Sequence, residues 1–209
     1  MFKRKVSKVK IQNYEIHPKT ELIEIIKNTT LNGDSSIKPF QNSDVFIQSV
    51  KTPQLYPTQK FVLQDQLNNI NLLYKYFLTK GINIANIDGY IIYNTDESDN
   101  TYVLTPPIIE IIENQPLIID GQHRTKFFGD KNIPFNAVCI NNIPKEYYPY
   151  QLPNKGGWND VACFDTQLPE GFVRKELRYP DKKTKKFMFR EYPFPGIIKI
   201  AREHTGKNY

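Results

Sequence analysis

Asp120-Gly121-Gln122-His123-Arg124 is the stretch of this sequence whose residue types could do chemistry together. An apolar strand, Leu117-Ile118-Ile119, runs into an Asp-Gly pair and then into three polar side chains that open a short helix. Gly121 lets the chain turn sharply and lets a ligand approach the backbone closely. The first turn of a helix presents N–H groups without intrahelical partners, at the positive end of the helix dipole. His123 can donate from its ring, and Arg124 offers a planar fork that matches two oxygens of a phosphate. Asp120 can cap the helix, or it can orient His123 or Arg124. Taken singly, Asp120 reads as a cap, His123 as a satisfied core histidine and Arg124 as a surface residue; adjacent at a strand-to-helix turn, they point to a site for an anion such as phosphate.

Transferring a phosphoryl group, rather than only binding it, needs a carboxylate near the acceptor hydroxyl and usually Mg²⁺. The carboxylates within reach in sequence are Asp65, Glu110, Glu113 and Asp120. Asp65 stands near the start of a long amphipathic stretch, where an acid also simply complements the helix dipole. Glu110 and Glu113 share one hairpin arm at a spacing that puts them on opposite faces, so one of them is expected to be exposed. A second constellation is Asn154-Lys155-Gly156-Gly157-Trp158-Asn159-Asp160, where two glycines adjoin the only tryptophan. As a loop it could close over a substrate, with Trp158, Lys155 and Asp160 as the contacts. Alternatively it is a surface turn in which Trp158 plugs the edge of the core.

The elements that must position these residues can be read from periodicity and turn signals. Thr20–Lys27 reads as a short helix, Asn28–Asp44 as loop, and Val45–Val50 as a strand. Phe61–Lys80 carries apolar residues at the 3.6 period and is followed by Gly81 in the position of a C-cap glycine, predicting one long helix. Ile87–Tyr93, Tyr102–Thr105 and Ile108–Glu113 read as strands, with Thr95–Asn100 as a polar turn. Asn114-Gln115-Pro116 reads as the turn of a hairpin whose second arm is Leu117–Ile119. Gln122–Phe128 follows as a helix closed by Gly129, and Phe135–Ile140 as a further strand. Phe172–Tyr179 and Lys186–Tyr192 read as a hairpin. The order of elements predicts an α+β domain rather than a doubly wound one.

Composition bounds the rest. With 209 residues, 39% of them hydrophobic, the chain can bury a sizeable core, which excludes global disorder. No apolar run approaches the roughly 20 residues that span a bilayer, and no apolar segment follows the basic Met1–Lys5 end as a secretory signal would require. Two cysteines make neither a disulfide framework nor a four-ligand zinc site, and Cys139 lies in an apolar run as a core residue would. The expectation is a soluble cytoplasmic protein with no membrane association and no protein-bound metal centre. The net charge of +6 is unevenly spread. Residues 1–10 hold five basic side chains and no acid, and residues 174–190 hold eight against two acids. Such a run is either a solvated face or a surface for a phosphate-rich partner, nucleotide or nucleic acid.

The sequence Thr105-Pro106-Pro107-Ile108-Ile109-Glu110, then a hairpin, then Ile118–Arg124, a helix and Ile133-Pro134-Phe135-Asn136-Ala137-Val138 resembles the ParB/sulfiredoxin superfamily. It is most similar to members with a DGQHR or DGHHR box, over roughly Val62 to Ile140. The resemblance implies a mixed sheet with short helices, and a box that binds nucleotide phosphates through Gly121, Gln122, His123, Arg124 and Thr125. It implies a core over residues 56–145, preceded by small elements over 1–55 and followed by an extension over 146–209, packed as one unit. Where sulfiredoxins carry a reactive cysteine this chain has Gln122, and residues 141–209 show no helix-turn-helix of the partition-protein kind. Phe127 replaces the family's small residue three places after the arginine. Two branches remain. One resembles kinases of free serine, implying an ATP- or ADP-dependent phosphotransferase, with Mg²⁺, acting on a small hydroxylated metabolite; Asp120, His123, Asp65 and Glu110 are then the candidate catalytic residues. The other comprises DGQHR-domain proteins linked to DNA modification, implying nucleic acid as partner through residues 174–190.

Overall fold

The computed structural model describes residues 10–31, 34–96, 98–149, 153–166 and 190–194. Strand β1 (Ile11–Pro18) leads into helix α1 (Lys19–Lys27) and the two-residue strand β2 (Thr30–Leu31). Strand β3 (Asp44–Val50) is followed by a 3₁₀ turn at Thr52–Gln54, strand β4 (Phe61–Leu63) and helix α2 (Gln64–Thr79). Then come β5 (Gly89–Thr95), β6 (Ser98–Leu104), β7 (Ile108–Ile112), β8 (Gln115–Asp120), α3 (Gln122–Asp130) and β9 (Phe135–Asn141). A 3₁₀ turn at Gly157–Asp160 precedes β10 (Ala162–Phe164), and β11 (Arg190–Glu191) completes the described elements. The fold is α+β, as its order of elements predicts. Among the described residues no helix is long and apolar enough to cross a membrane.

One sheet has the order β3-β9-β7-β8, with β9 antiparallel to β3 and parallel to β7. β9 sits inside this sheet and is buried on both faces along residues 137–140, which is why that stretch is a continuous apolar run. Phe135, Ala137 and Cys139 face a core shared with Leu67, Ile70 and Phe77 of α2 and Phe127 and Phe128 of α3. Val138 and Ile140 face a second core with Leu22 and Ile26 of α1, Phe40, Tyr90 and Phe194. Burial pushes the Cys139 thiol up to about 11, so it is inert packing at neutral pH. A separate antiparallel sheet, β1-β5-β6, flanks these elements.

Several boundaries differ from the sequence reading, each for a tertiary reason. The long helix starts at Gln64, not Phe61, because Phe61–Leu63 pairs in parallel with β10, a hundred residues away in the chain. Its other end matches the expectation: Gly81 has φ +75, its N–H bonds Leu78 O, and Ile82 N–H bonds Phe77 O at 2.9 Å. Gly129 does not close α3 but lies inside it. A Cβ there would meet the Thr52 side chain at 2.7–2.8 Å, so the glycine serves close packing, and Asn132 (φ +53) takes the left-handed position after the helix. The β7–β8 turn is Glu113-Asn114, both at positive φ, rather than Asn114-Gln115-Pro116. The polar turn expected over 95–100 is shorter, since β5 runs through Thr95 and β6 begins at Ser98. The stretch expected to be loop between Asn28 and Asp44 contains β2, whose antiparallel partner is β11.

That pairing also corrects the reading of the basic run. Most of the hairpin expected over 172–192 lies outside the described residues, but Arg190 is described and is not on a solvated basic face. Its side chain is 1% exposed and faces Glu110, which is 0% exposed. Arg190 Nε and Nη2 each donate to one Glu110 oxygen at 2.9 Å, and Nη2 also donates to Tyr147 O at 2.5 Å. The guanidinium lies 5.1 Å from the Phe40 ring centroid. Breaking such a pair leaves an uncompensated buried charge, which costs about 3–5 kcal/mol, whereas replacing both partners by apolar groups is often neutral. In urea denaturation, Arg190→Met is therefore expected to lose stability on that scale, and Glu110→Leu with Arg190→Met to recover most of it. An Arg190→Met chain within about 1 kcal/mol of wild type would show that the pair does not hold the C-terminal strand in place.

Candidate functional site

Strand β8 delivers Asp120 to the end of the sheet, and the chain reverses at Gly121 (φ +86, ψ +24), the N-cap of α3. A Cβ at this position would sit 2.9 Å from Arg124 Nη2, 3.0 Å from Pro107 Cα and 3.1 Å from Arg124 Nε. Both the dihedral and the crowding therefore require glycine. With glycine at the N-cap no side chain caps the helix. Its carbonyl accepts the first intrahelical bond, from Thr125 N–H at 2.9 Å.

The three polar side chains of the box point in different directions. Gln122 turns inward and is 4% exposed. Its Oε1 accepts from Thr58 N–H at 3.2 Å and Gln59 N–H at 2.9 Å, while its Nε2 donates to Gln59 O at 2.7 Å and Phe61 O at 3.3 Å. His123 is also used internally: Nε2 accepts from Leu63 N–H at 3.0 Å, which fixes the ring proton on Nδ1. Leu63 is the N-cap of α2, so this bond brings the N-termini of α2 and α3 together. Arg124 reaches back over the turn. Nη1 donates to the carbonyl and, at 3.2 Å, to the hydroxyl oxygen of Thr105, and Nη2 bonds Asp120 Oδ2 at 2.6 Å. The guanidinium edge bearing Nε and Nη2 lies against Gly121. Of the roles open to Asp120, the structure uses the orientation of Arg124.

The remaining expected residues divide between the box and elsewhere. Asp65 is exposed in the first turn of α2, two residues past the Leu63 N–H that bonds His123, and its own N–H bonds Asp165 O at 3.1 Å. Asp120 is half-exposed beside Arg124. Thr125 is wholly buried and its Oγ1 has no partner among the described residues; its carbonyl accepts from Thr52 Oγ1 at 2.8 Å. Glu110 is committed with both oxygens to Arg190, and Glu113 is exposed in the hairpin turn. Trp158 is half-buried, and its indole N–H donates to Thr52 O and Leu55 O, both at 3.1 Å. Asp160 Oδ2 accepts from Gly156 N–H at 2.8 Å, closing the loop on itself, while Lys155 is exposed. Asn154 ties the same loop to Pro57 O and Gln59 O. Sequence reasoning missed Thr105 and the 57–61 segment. The Thr before Pro106-Pro107 was visible, but nothing local marks a backbone carbonyl as the partner of an arginine nineteen residues away.

Burial depresses the His123 pKa below 6.5; the neighbouring Arg124 charge acts in the same direction and Asp120 opposes it. The sign follows directly. On acidification through 6.5 the unfolded chain takes up a proton that the folded imidazole resists, so this residue's contribution is complete above 6.5 and is lost as pH falls below it, by at most about 1.4 kcal/mol per pH unit. Urea unfolding at pH 7.5 and 5.5 is expected to show a larger loss for wild type than for His123→Gln, which keeps an acceptor for Leu63 N–H but does not titrate. Equal losses would mean that the imidazole is not held neutral by the fold.

The ParB CE domain family model matches residues 21–162. No curated protein and no solved structure matches the chain. The matched span begins in α1 and ends at the first residue of β10, so it takes in α2, the β7–β8 hairpin, the Gly121 turn and α3 whole. With well over half of its length inside that span, this chain belongs to the ParB CE domain family.

Proposed function

We propose that this chain binds a nucleoside di- or triphosphate with its terminal phosphates against the first turn of α3, and transfers a phosphoryl group from it to a small hydroxylated metabolite. The observation that carries the reading is the Gly121 turn: a left-handed, uncapped helix start with the Arg124 guanidinium edge lying directly against it. Main-chain N–H groups of the first turn and the arginine fork then converge on one anion. The adjacent start of α2, tied in through His123 and Leu63, adds a second positive helix end. Family membership supports the nucleotide association.

In this reading Gln122 and His123 hold α3 in place and Arg124 grips phosphate oxygens. Mg²⁺ carried on the nucleotide's phosphates would neutralise charge there. Asp120 and Asp65 are the carboxylates on the exposed side. When Arg124 turns to the phosphate, Asp120 is released to accept the proton of the acceptor hydroxyl. The acceptor oxygen then bonds phosphorus as the bond to the leaving phosphate oxygen breaks. Glu110, with both oxygens bound to Arg190, is left out of this assignment. Losing a charge-assisted bond of this kind costs about 1.5–3 kcal/mol. Calorimetric titration with ATP, ADP, GTP and CTP is expected to show at least one binding with an affinity that drops on that scale in a folded Arg124→Ala chain. No binding of any nucleotide, or unchanged affinity in that variant, would sink the proposal.

A second reading is favoured by the run Arg174, Lys175, Arg178, Lys182, Lys183, Lys185 and Lys186, which has only Glu176 and Asp181 to offset it. A nucleotide-dependent protein associated with DNA modification would lay such a run on phosphates. Duplex affinity should then fall with salt at a slope of roughly −0.9 per phosphate neutralised, and charge reversal at Lys182, Lys183, Lys185 and Lys186 should abolish it. No duplex binding at low salt removes this reading and leaves the first.

A further inference from the structure

Away from the Gly121 turn, the C-terminal half of α3 borders a cleft of about 410 Å³ that the proposed phosphate chemistry does not use. Its volume falls in the range of small-molecule sites, roughly 300–1,000 Å³. Trp158, Ile133 and Pro53 supply apolar wall; Lys51, Lys126 and Asn132 supply polar rim. The cleft begins five residues beyond Gly121, at Lys126, and a helix rises about 1.5 Å per residue, so its lining residues on α3 lie some 7 Å or more along the helix from the phosphate-binding turn.

The walls are fixed before any ligand arrives. Trp158 is pinned by two carbonyls, those of Thr52 and Leu55. Thr52 is itself pinned by its hydroxyl to Thr125 O and packed against Gly129, where no side chain larger than hydrogen fits. The Lys51 main chain is held by Gln54 Oε1 at 2.8 Å, and Asn132 is locked in a left-handed turn by its bond to Gly129 O. This makes an aromatic wall held at its indole N–H, with two ammonium groups at the rim. Among the described lining residues only Asp130 opposes them, and its Oδ1 is already engaged by Lys126. A rigid indole prefers a planar ring against its π-system. The net positive rim selects an anionic substituent on that ring. Such a surface has little to offer a neutral aliphatic molecule or a bare inorganic anion.

We infer that this Trp158–Lys51–Lys126 cleft is a second ligand site, for a small planar aromatic molecule carrying an anionic group. Nucleoside monophosphates and aromatic carboxylates share that chemistry, and the test separates them. Trp158 is the chain's only tryptophan, so its emission reports the cleft without a second fluorophore of its kind. The full chain is titrated with adenosine 5′-monophosphate and with benzoate, beside the neutral adenosine and benzamide and beside inorganic phosphate. At least one aromatic anion is expected to change the emission saturably, about tenfold more tightly than its neutral counterpart and than phosphate. The double variant Lys51→Gln with Lys126→Gln should weaken it at least tenfold while keeping the wild-type melting midpoint. Lys51→Gln alone, an exposed position, gives the same reading should the double variant melt early. Arg124→Ala should leave the saturation curve unchanged. No saturable change with either anion at millimolar concentration, equal response to the neutral molecules, or loss in Arg124→Ala with the lysine variants unaffected would each overturn the inference.

Discussion

The carboxamide of Gln122 is the constraint on which the arrangement of the site depends. It spends both lone-pair directions and both N–H groups on the backbone of residues 58–61, in a place where it is almost wholly buried. Each such bond adds only about 0.5–1.5 kcal/mol net, but leaving any of the four groups buried and unmade costs more than making it gains. The amide therefore acts as a geometric gauge: α3 can dock only where all four partners are met. His123 then lies opposite Leu63 N–H, the starts of α2 and α3 meet, and Arg124 is carried over Gly121. Gln59 O, which takes one Gln122 bond, also accepts from Asn154, so the tryptophan loop is registered to the same segment.

Much of this was legible because it is local. A strand, a residue that must be glycine and a helix can be read from apolar patterning and a turn signal, and the structure places Gly121 at a left-handed φ as that reading requires. The Gly81 helix end was legible for the same reason. What sequence could not supply was direction. Gln122 and His123 look like ligand donors beside an arginine, and the fold turns both toward its own backbone, because their partners, residues 58–63, sit some sixty positions earlier. The short strands β2, β4, β10 and β11 exist only through pairing with distant segments, and no periodicity of two or three residues can announce them. Gly129 shows the same limit from the other side. A glycine near a helix end reads as a terminator, and here it is an interior contact with Thr52 that leaves the closing turn to Asn132.

Arg190 shows how a charge count can mislead. In sequence it ends a basic run and adds to an expected cationic face; in the fold it is the buried half of an ion pair. A fully buried pair is poor evidence of net stability, because the desolvation of both ions offsets most of their attraction. Its consequence is specificity of position. Nothing apolar in the C-terminal strand would distinguish one seat along the sheet from another, whereas a fork matched to Glu110 tolerates one register. Burial raises the Glu110 pKa and the facing guanidinium offsets only part of that rise, so the carboxylate depends on its pairing with Arg190. The same carboxylate, considered for catalysis on its distance in sequence from the box, is thereby explained as a structural anchor.

The two ion pairs of the hairpin strands differ in a way that bears on how a phosphate could be bound. Glu110–Arg190 is sealed from water; Asp120–Arg124 is not, with about half of the Asp120 side chain exposed. An arginine in a half-buried place cannot be left unpaired, because a desolvated charge without a partner is costly. Asp120 meets that need, while the Thr105 carbonyl and hydroxyl keep the guanidinium plane oriented from the opposite side. On the proposed reading, phosphate binding would be an exchange of anions at one fork rather than the filling of an empty site. Its free energy would then be the difference between two charge-assisted contacts, which would lower affinity for a lone phosphate. The contrast favours a polyphosphate, whose further oxygens reach the helix N–H groups that a single carboxylate leaves unused.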